Sequence, residues 1–281
     1  IIKLSIIFFL LFFKANAVEF SGKFIQGHFI LGKTSPDSLI KIDDKKVKVS
    51  KEGFFVFGLD RDRKFDVTIS VTNSNSNKKI IKKVLKRKYK IQRIDGLDEK
   101  KVTPPEEVYN RIKKENNEIG KARSINSDLD FFKNKFIMPV DGIISGVYGS
   151  QRILNGKPKW PHYGIDIAAK QGTEIKASGS GIVTMSEGDL YYTGGTIIMD
   201  HGHGISTIYS HLEKVLVMHS SCLAGNANRA LWIVDLLHTK SSTGKDYLDP
   251  TQLLGHKYRH DLGRNARDAH KVDPWVRANF D

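Results

Sequence analysis

The sequence predicts a mainly β protein in which a small antiparallel β domain and a second β domain are joined by a helical linker. Short runs rich in β-branched and aromatic residues, bounded by turn residues, recur over residues 18–95. A helix-start pattern follows near residue 104, and a glycine-rich β pattern begins at Phe136. The length of 281 residues suits two domains.

The first 17 residues have the composition of a secretory signal peptide. Lys3 precedes an apolar run from Leu4 to Phe13, and Ala15-Asn16-Ala17 supplies small residues for cleavage. Spanning a bilayer takes about 20 apolar residues, and this run has only about half that number. We therefore expect no stable transmembrane segment after cleavage. An uncleaved anchor is the alternative. Export to the periplasm or cell envelope is the prediction.

The charge of the chain indicates what kind of partner it meets. The net charge is +14, from 45 basic and 31 acidic side chains. An exported protein is not expected to meet nucleic acid, whereas anionic envelope polymers would be attracted by the same long-range field. Cys222 is the single cysteine, so no internal disulfide can form.

The segment 18–95 is predicted to be the N-terminal β domain, with turns at Asp43-Asp44 and at Lys51-Glu52-Gly53. Its last part, Lys78 to Lys90, is a basic run with two interpretations. It could be a patch for a membrane or a polyanion. A solvated edge strand whose lysines block aggregation is favoured, because a polar turn and strand patterns precede it.

Residues 96–135 are predicted to be a linker containing a helix at about 104–124. Thr103 can cap this helix, Pro104 fits its first turn, and Glu106 completes a capping box. The helix could cover a functional groove, but a plain spacer is the favoured interpretation.

A histidine and a carboxylate four residues apart, His162 and Asp166, suggest a metal site. On a straight strand these positions lie about 13 Å apart, too far to share one ion. The chain must therefore bend between them, and Pro161 and Gly164 suit a bend. Imidazole and carboxylate are both zinc ligands, and a further histidine, His211, follows 45 residues later.

With these residues in place, the segment 136–217 resembles the LytM/lysostaphin-type zinc endopeptidases that cut peptidoglycan cross-bridges. The matching residues occur in the order of the family pattern: Pro139, Gly142, Ser145, Gly149, Arg152, His162, Gly164, Ile165, Asp166, Ile167, Ala168, Gly172, Thr173, Ala177, Gly181, Val183, Gly195, Asp200, His201, Gly202, Gly204, Tyr209, His211 and Leu212.

The resemblance implies a lysostaphin-like antiparallel β-sheet domain of the duplicated hybrid motif type. It also implies His162 and Asp166 as Zn²⁺ ligands, His211 as a catalytic histidine, and peptidoglycan as the partner and substrate. The rival hypothesis is a catalytically degenerate relative that binds peptidoglycan or activates a partner cell-wall hydrolase.

The third ligand that the family takes from a later His-x-His is missing after Val217. His201-Gly202-His203 spells this pattern, but the resemblance implies a hairpin turn here, because Asp200 to Gly204 matches a hairpin of the family. Isoleucine falls from 28 in residues 1–217 to 1 in residues 218–281. We therefore expect the segment 218–281 to be an aberrant tail, from a reading-frame error or a degraded gene end, and the chain as written to be a poor enzyme.

Overall fold

Strands dominate the structure, a computed structural model that describes residues 18–74, 76–96, 104–219 and 222–223. The mainly β fold class predicted from the sequence is confirmed. The predicted signal peptide and most of the predicted tail lie outside the described residues. Within these residues, no helix is both long and apolar enough to span a membrane.

The first eight strands lie before the linker: Glu19–Ser21 (β1), Phe29–Lys33 (β2), Leu39–Ile42 (β3), Lys45–Val47 (β4), Phe54–Gly58 (β5), Val67–Asn73 (β6), Ser76–Lys82 (β7) and Ile91–Ile94 (β8). The remaining strands follow it: Ile143–Gly146 (β9), Gln151–Leu154 (β10), Lys157–Pro158 (β11), Asp166–Ala168 (β12), Gly181–Leu190 (β13), Gly194–Gly202 (β14), Ile205–Leu212 (β15) and Cys222–Leu223 (β16).

Two sheets enclose the N-terminal core. One has the order β1-β2-β5 and the other β4-β3-β6-β7. Strand β6 alternates, so Val67, Ile69 and Val71 face inward and pack with Ile30 and Phe55. The predicted turn at Asp43-Asp44 is confirmed, because both residues have positive φ, as a tight hairpin requires.

The basic run begins in an edge strand, as the favoured interpretation predicts. Strand β7 pairs with β6 and ends its sheet. Lys78 and Lys79 are exposed along it, where charged side chains discourage pairing with other chains.

The linker forms a 3-10 turn at Glu106–Val108 and then one α-helix, Tyr109–Arg123 (α1). The expected capping box is not seen, since Pro105 occupies the cap without a side-chain hydrogen bond and Thr103 lies outside the described residues. The favoured interpretation as a plain spacer is wrong. Ala122 of α1 is buried in a cluster with residues of β13 and β14.

The C-terminal sheet has the order β15-β14-β13-β16. Strand β14 is buried on both faces: Ile197 and Met199 join one core cluster, whereas Ile198 joins the cluster under α1. A smaller two-stranded sheet, β12-β9, carries Asp166 at the start of β12. The segment that would bear the site is thus anchored on a packed core.

Strand β8 connects the two parts of the chain. It pairs in parallel with β10, with Gln92 opposite Arg152, and β11 completes this sheet. The sequence places β8 in the N-terminal domain and β10 in the second domain. The domain boundaries stay predictions, but one sheet contains strands from both sides of the predicted linker.

Candidate metal centre

His162 and Asp166 lie together, as the sequence predicts. The Nε2 atom of His162 is 3.3 Å from Oδ1 of Asp166. Residues 161–163 are irregular, Gly164 forms a bend, and Asp166 begins β12. The expected bend between the two residues is therefore confirmed, and it brings the imidazole and the carboxylate to one point.

The pair fits a shared metal ion in distance and in donor type. Two ligands that bind zinc tetrahedrally at about 2.0–2.1 Å lie about 3.3 Å from each other. The other ring nitrogen of His162, Nδ1, is 3.4 Å from the carbonyl oxygen of Val147. A carbonyl can only accept, so in the tautomer with hydrogen on Nδ1 this contact would leave the Nε2 lone pair available for a metal ion shared with Asp166. A bare nitrogen beside a carboxylate is a donor set for a cation.

Arg152 and Gly146 set the position of the Asp166 carboxylate. The Nη2 atom of Arg152 lies 3.6 Å from Oδ2 of Asp166, and Arg152 is only 4% exposed. A Cβ added at Gly146 would collide with Oδ2 and lie 2.7 Å from Cγ of Asp166. The carboxylate fills space that only a glycine leaves open, so its oxygens have fixed directions.

Sequence reasoning assigned no role to Arg152 or Gly146. A pattern could have identified the arginine, because β10 alternates and places Arg152 on the same buried side as Leu154. A charged residue on the buried side of a strand needs a partner of opposite charge. No sequence pattern identifies Gly146, since its role depends on the Asp166 side chain, 20 positions away.

Backbone hydrogen bonds fix the main chain of His162. Its carbonyl accepts from the N–H of Gly149 at 2.6 Å, and its own N–H donates to the carbonyl of Ser150 at 2.9 Å. The turn around Val147 to Ser150 therefore holds both the backbone and the ring of His162.

His211 lies near the end of β15, with φ +63°. Its N–H donates to the carbonyl of Thr193 at 2.7 Å. In the described part of the chain, no three His, Cys, Asp or Glu side chains are grouped so that they could hold a metal ion. Thus His211 does not complete a three-ligand set with His162 and Asp166, and its predicted catalytic role stays a prediction.

The His201-Gly202-His203 sequence is a hairpin turn, as expected. Strand β14 ends at Gly202, and His203 and Gly204, both with positive φ, form the turn into β15. The ring of His203 packs 4.5 Å from Phe132 between centroids. These observations explain the His-x-His by local structure and not by metal binding.

His201 is fully buried and both of its ring nitrogens are engaged. Nδ1 lies 2.6 Å from the Ser180 carbonyl, and Nε2 lies 2.8 Å from Oγ1 of Thr207. Burial lowers the pKa of His201, which favours the neutral ring at neutral pH. Nδ1 then carries the hydrogen, and the Thr207 hydroxyl donates to Nε2. The Thr207 and Tyr209 hydroxyls are 3.1 Å apart, and the Tyr209 hydroxyl accepts from the Ser178 N–H.

Exposed aromatic side chains flank His162. Trp160 is 80% exposed and Tyr163 is 58% exposed. The Tyr163 ring lies 6.2 Å from that of Tyr148 in an edge-to-face arrangement. Large apolar rings left in water beside a potential metal centre are suited to contact a bound ligand.

Comparison with protein families gives a match at this site. Residues 160–224 match the model of Peptidase family M23. The matched segment contains His162, Asp166 and His211, and it extends past Val217, where the sequence analysis ends the resemblance. The match therefore includes β16, which adds to the main sheet through Ile182 and Gly181.

Two curated relatives are similar over this region. The Peptidoglycan DD-endopeptidase ShyA of Vibrio cholerae is 40% identical over 57 residues, which is 20% of this chain and 13% of that protein. The DD-carboxypeptidase/endopeptidase Mpg of Neisseria meningitidis is 41% identical over 52 residues, 18% of this chain and 12% of that protein. The chain thus covers a small part of the length of each relative.

A solved structure extends the likeness to most of the fold. A putative peptidase M23 from Pseudomonas aeruginosa superposes with a TM-score of 0.56 at 24% identity, covering 75% of this chain and 82% of that one. The similarity of fold therefore includes regions outside the segment that matches the family model. The predicted resemblance to the LytM-type peptidases is confirmed.

Proposed function

We propose that this chain, whose residues 160–224 match peptidase family M23, is a zinc-dependent endopeptidase that cuts peptide cross-links of peptidoglycan. The observation that carries the proposal is the 3.3 Å approach of His162 Nε2 to Asp166 Oδ1 inside the matched segment. Both side chains are largely buried, at 11% and 20% exposed, so their arrangement is constrained by the fold.

His162 and Asp166 would hold the metal ion, together with a third ligand beyond this pair. A bound zinc ion lowers the pKa of its water toward about 7 and polarises the substrate carbonyl. The residues of the chain supply the rest. Arg152 offsets the charge of the Asp166 carboxylate on the side away from His162. His211 is proposed to donate a hydrogen bond to the carbonyl oxygen where negative charge develops.

The surroundings of the pair suit a peptide attached to a cell-wall polymer. Trp160 and Tyr163 supply apolar area beside the ligands. The net charge of +14 attracts anionic envelope polymers to the protein as a whole. Export to the periplasm or cell envelope follows from the composition of residues 1–17 and from this substrate, and it is part of the proposal.

Digestion of purified peptidoglycan by the full chain tests the proposal. In a version of the chain whose residues after Val217 supply the third ligand, we expect new amino and carboxyl termini at the peptide cross-links, identified by mass spectrometry, and zinc bound in a 1:1 ratio by metal analysis. The chain as written should cut slowly and bind zinc weakly. His162→Ala should abolish both. Binding of peptidoglycan without cleavage, and without zinc, would favour the degenerate relative that binds the wall or activates another hydrolase.

A further inference from the structure

The turn from Val147 to Ser150, which contacts His162, also forms hydrogen bonds with residues of the N-terminal domain. Both Nε and Nη2 of Arg61 donate to the carbonyl of Gly149, at 2.8 and 2.7 Å. The N–H of Gln151 donates to the carbonyl of Lys90 at 2.8 Å. Arg61 and Lys90 belong to the predicted N-terminal domain, so two of its residues bind the backbone of the same short turn.

The Arg61 contact is preorganised by its neighbours. The guanidinium lies 4.3 Å from the centre of the Tyr89 ring, and the Tyr89 hydroxyl donates to the Arg61 carbonyl at 3.0 Å. Gly149 has φ +84°, and a Cβ there would collide with the Tyr89 ring. Arg61, Tyr89 and Gly149 therefore pack at a distance that only glycine permits, and the Arg61 side chain is 9% exposed.

Gly149 links Arg61 to His162 through its two backbone hydrogen-bonding groups. Its carbonyl accepts both hydrogen bonds from the Arg61 guanidinium, and its N–H donates to the His162 carbonyl. The neighbouring carbonyl of Ser150 accepts from the His162 N–H, and that of Val147 faces Nδ1 of the ring. Displacing Gly149 would move the backbone contact of His162 directly.

A second route reaches Asp166. Gln92 of β8 accepts from Nε of Arg152 at 3.4 Å, and β8 pairs with β10 beside it. Arg152 in turn contacts Oδ2 of Asp166. Each member of the His162–Asp166 pair is thus connected to the N-terminal domain through one intermediate residue, Gly149 or Arg152.

We infer that the N-terminal domain is a structural part of the metal centre, with Arg61 and Gln92 as positioning residues for His162 and Asp166. The inference rests on the proposed function only in that the pair binds zinc. Outer residues that orient metal ligands typically change metal affinity by about 10- to 100-fold when replaced. An N-terminal domain that merely tethers the site or binds the wall would have no such effect.

A matched pair of conservative variants tests the role of Arg61 in the full chain. Arg61→Lys keeps the charge but loses the planar fork that donates twice to Gly149. Arg63→Lys is the control, because Arg63 pairs with Asp43 at 2.7 Å and donates to the carbonyls of Phe65 and Asp66, all within the N-terminal domain. Thermal unfolding of both variants verifies that they fold.

Two measurements give the result. In Arg61→Lys we expect the amides of Gly149 and His162 to exchange hydrogen about tenfold faster, and zinc to bind about tenfold more weakly. In Arg63→Lys both quantities should match the unaltered chain. Equal effects of the two substitutions, or no effect of Arg61→Lys on exchange, would overturn the inference. If the unaltered chain takes up no zinc, the proposed function fails, while hydrogen exchange still decides the role of Arg61.

Discussion

Oδ2 of Asp166 lies 3.6 Å from Nη2 of Arg152, and the Arg152 side chain is almost completely buried. The other carboxylate oxygen faces His162. The two oxygens therefore have different functions: one is held by a fixed positive charge, and the other is directed toward the imidazole. This division gives the candidate centre a defined orientation.

In any version of the chain that carries a complete set of ligands, removal of either proposed ligand should abolish tight zinc binding. His162→Ala and Asp166→Ala each leave an incomplete set of ligands for a catalytic zinc. His211→Ala should retain zinc and lose activity, because its proposed contribution is made in the transition state. His203→Ala is the control, since His203 lies in a hairpin turn. Metal analysis with activity assays measures these outcomes; stoichiometric zinc in the Asp166 variant would refute the ligand assignment.

Replacement of Arg152 should destabilise the protein. Arg152→Met keeps much of the buried volume but leaves the partly buried Asp166 carboxylate without its guanidinium partner. Removing one member of a buried ion pair costs about 3–5 kcal/mol, and the 20% exposure of Asp166 places the expected loss near the lower end. Urea unfolding measures it. A loss well below about 1 kcal/mol would show that the carboxylate does not depend on this arginine.

A methyl group at Gly146 should displace the metal ligand without general damage to the fold. The Cβ of Gly146→Ala would meet the carboxyl group of Asp166, so zinc affinity should fall by about tenfold or more. Gly188→Ala in β13 is the matched control, because nothing lies within 4 Å of its Cβ position. Calorimetric zinc titration of both variants decides, and equal affinities would contradict the prediction.

Stability should fall as the pH decreases below about 6.5. Burial lowers the pKa of His201 from its ordinary 6.5, although the hydrogen bond to the Ser180 carbonyl and nearby Asp200 act in the opposite direction. The unfolded chain then binds more protons than the folded chain, so the free energy of unfolding decreases toward acid, by at most about 1.4 kcal/mol per pH unit for this group.

A non-titrating variant isolates the contribution of His201. The amide of His201→Asn can still donate to the Ser180 carbonyl but takes up no proton. This variant should therefore be less stable at neutral pH and show a shallower decrease of stability below about pH 6.5. Part of the slope should remain, because burial also lowers the pKa of His203. Urea unfolding over a pH series measures both slopes, and parallel curves would exclude His201 as a source.

Local patterns in the sequence determined much of this protein. The class of fold, the turn at Asp43-Asp44 and the edge strand with its lysines all follow from alternation and turn chemistry, which act over a few residues. The same holds for the bend between His162 and Asp166, because two ligands four residues apart cannot meet on a straight strand.

The tertiary structure alone decided how the pair is supported. The contacts of Arg61 with Gly149, of Gln92 with Arg152 and of Gly146 with Asp166 join residues separated by 20 to 88 positions. No local periodicity encodes such contacts, since they arise when packed cores bring distant strands to one place. The docking of α1 on the sheet is of the same kind. The start pattern near residue 104 predicted a helix, but the buried surface of β13 and β14 determined where that helix lies.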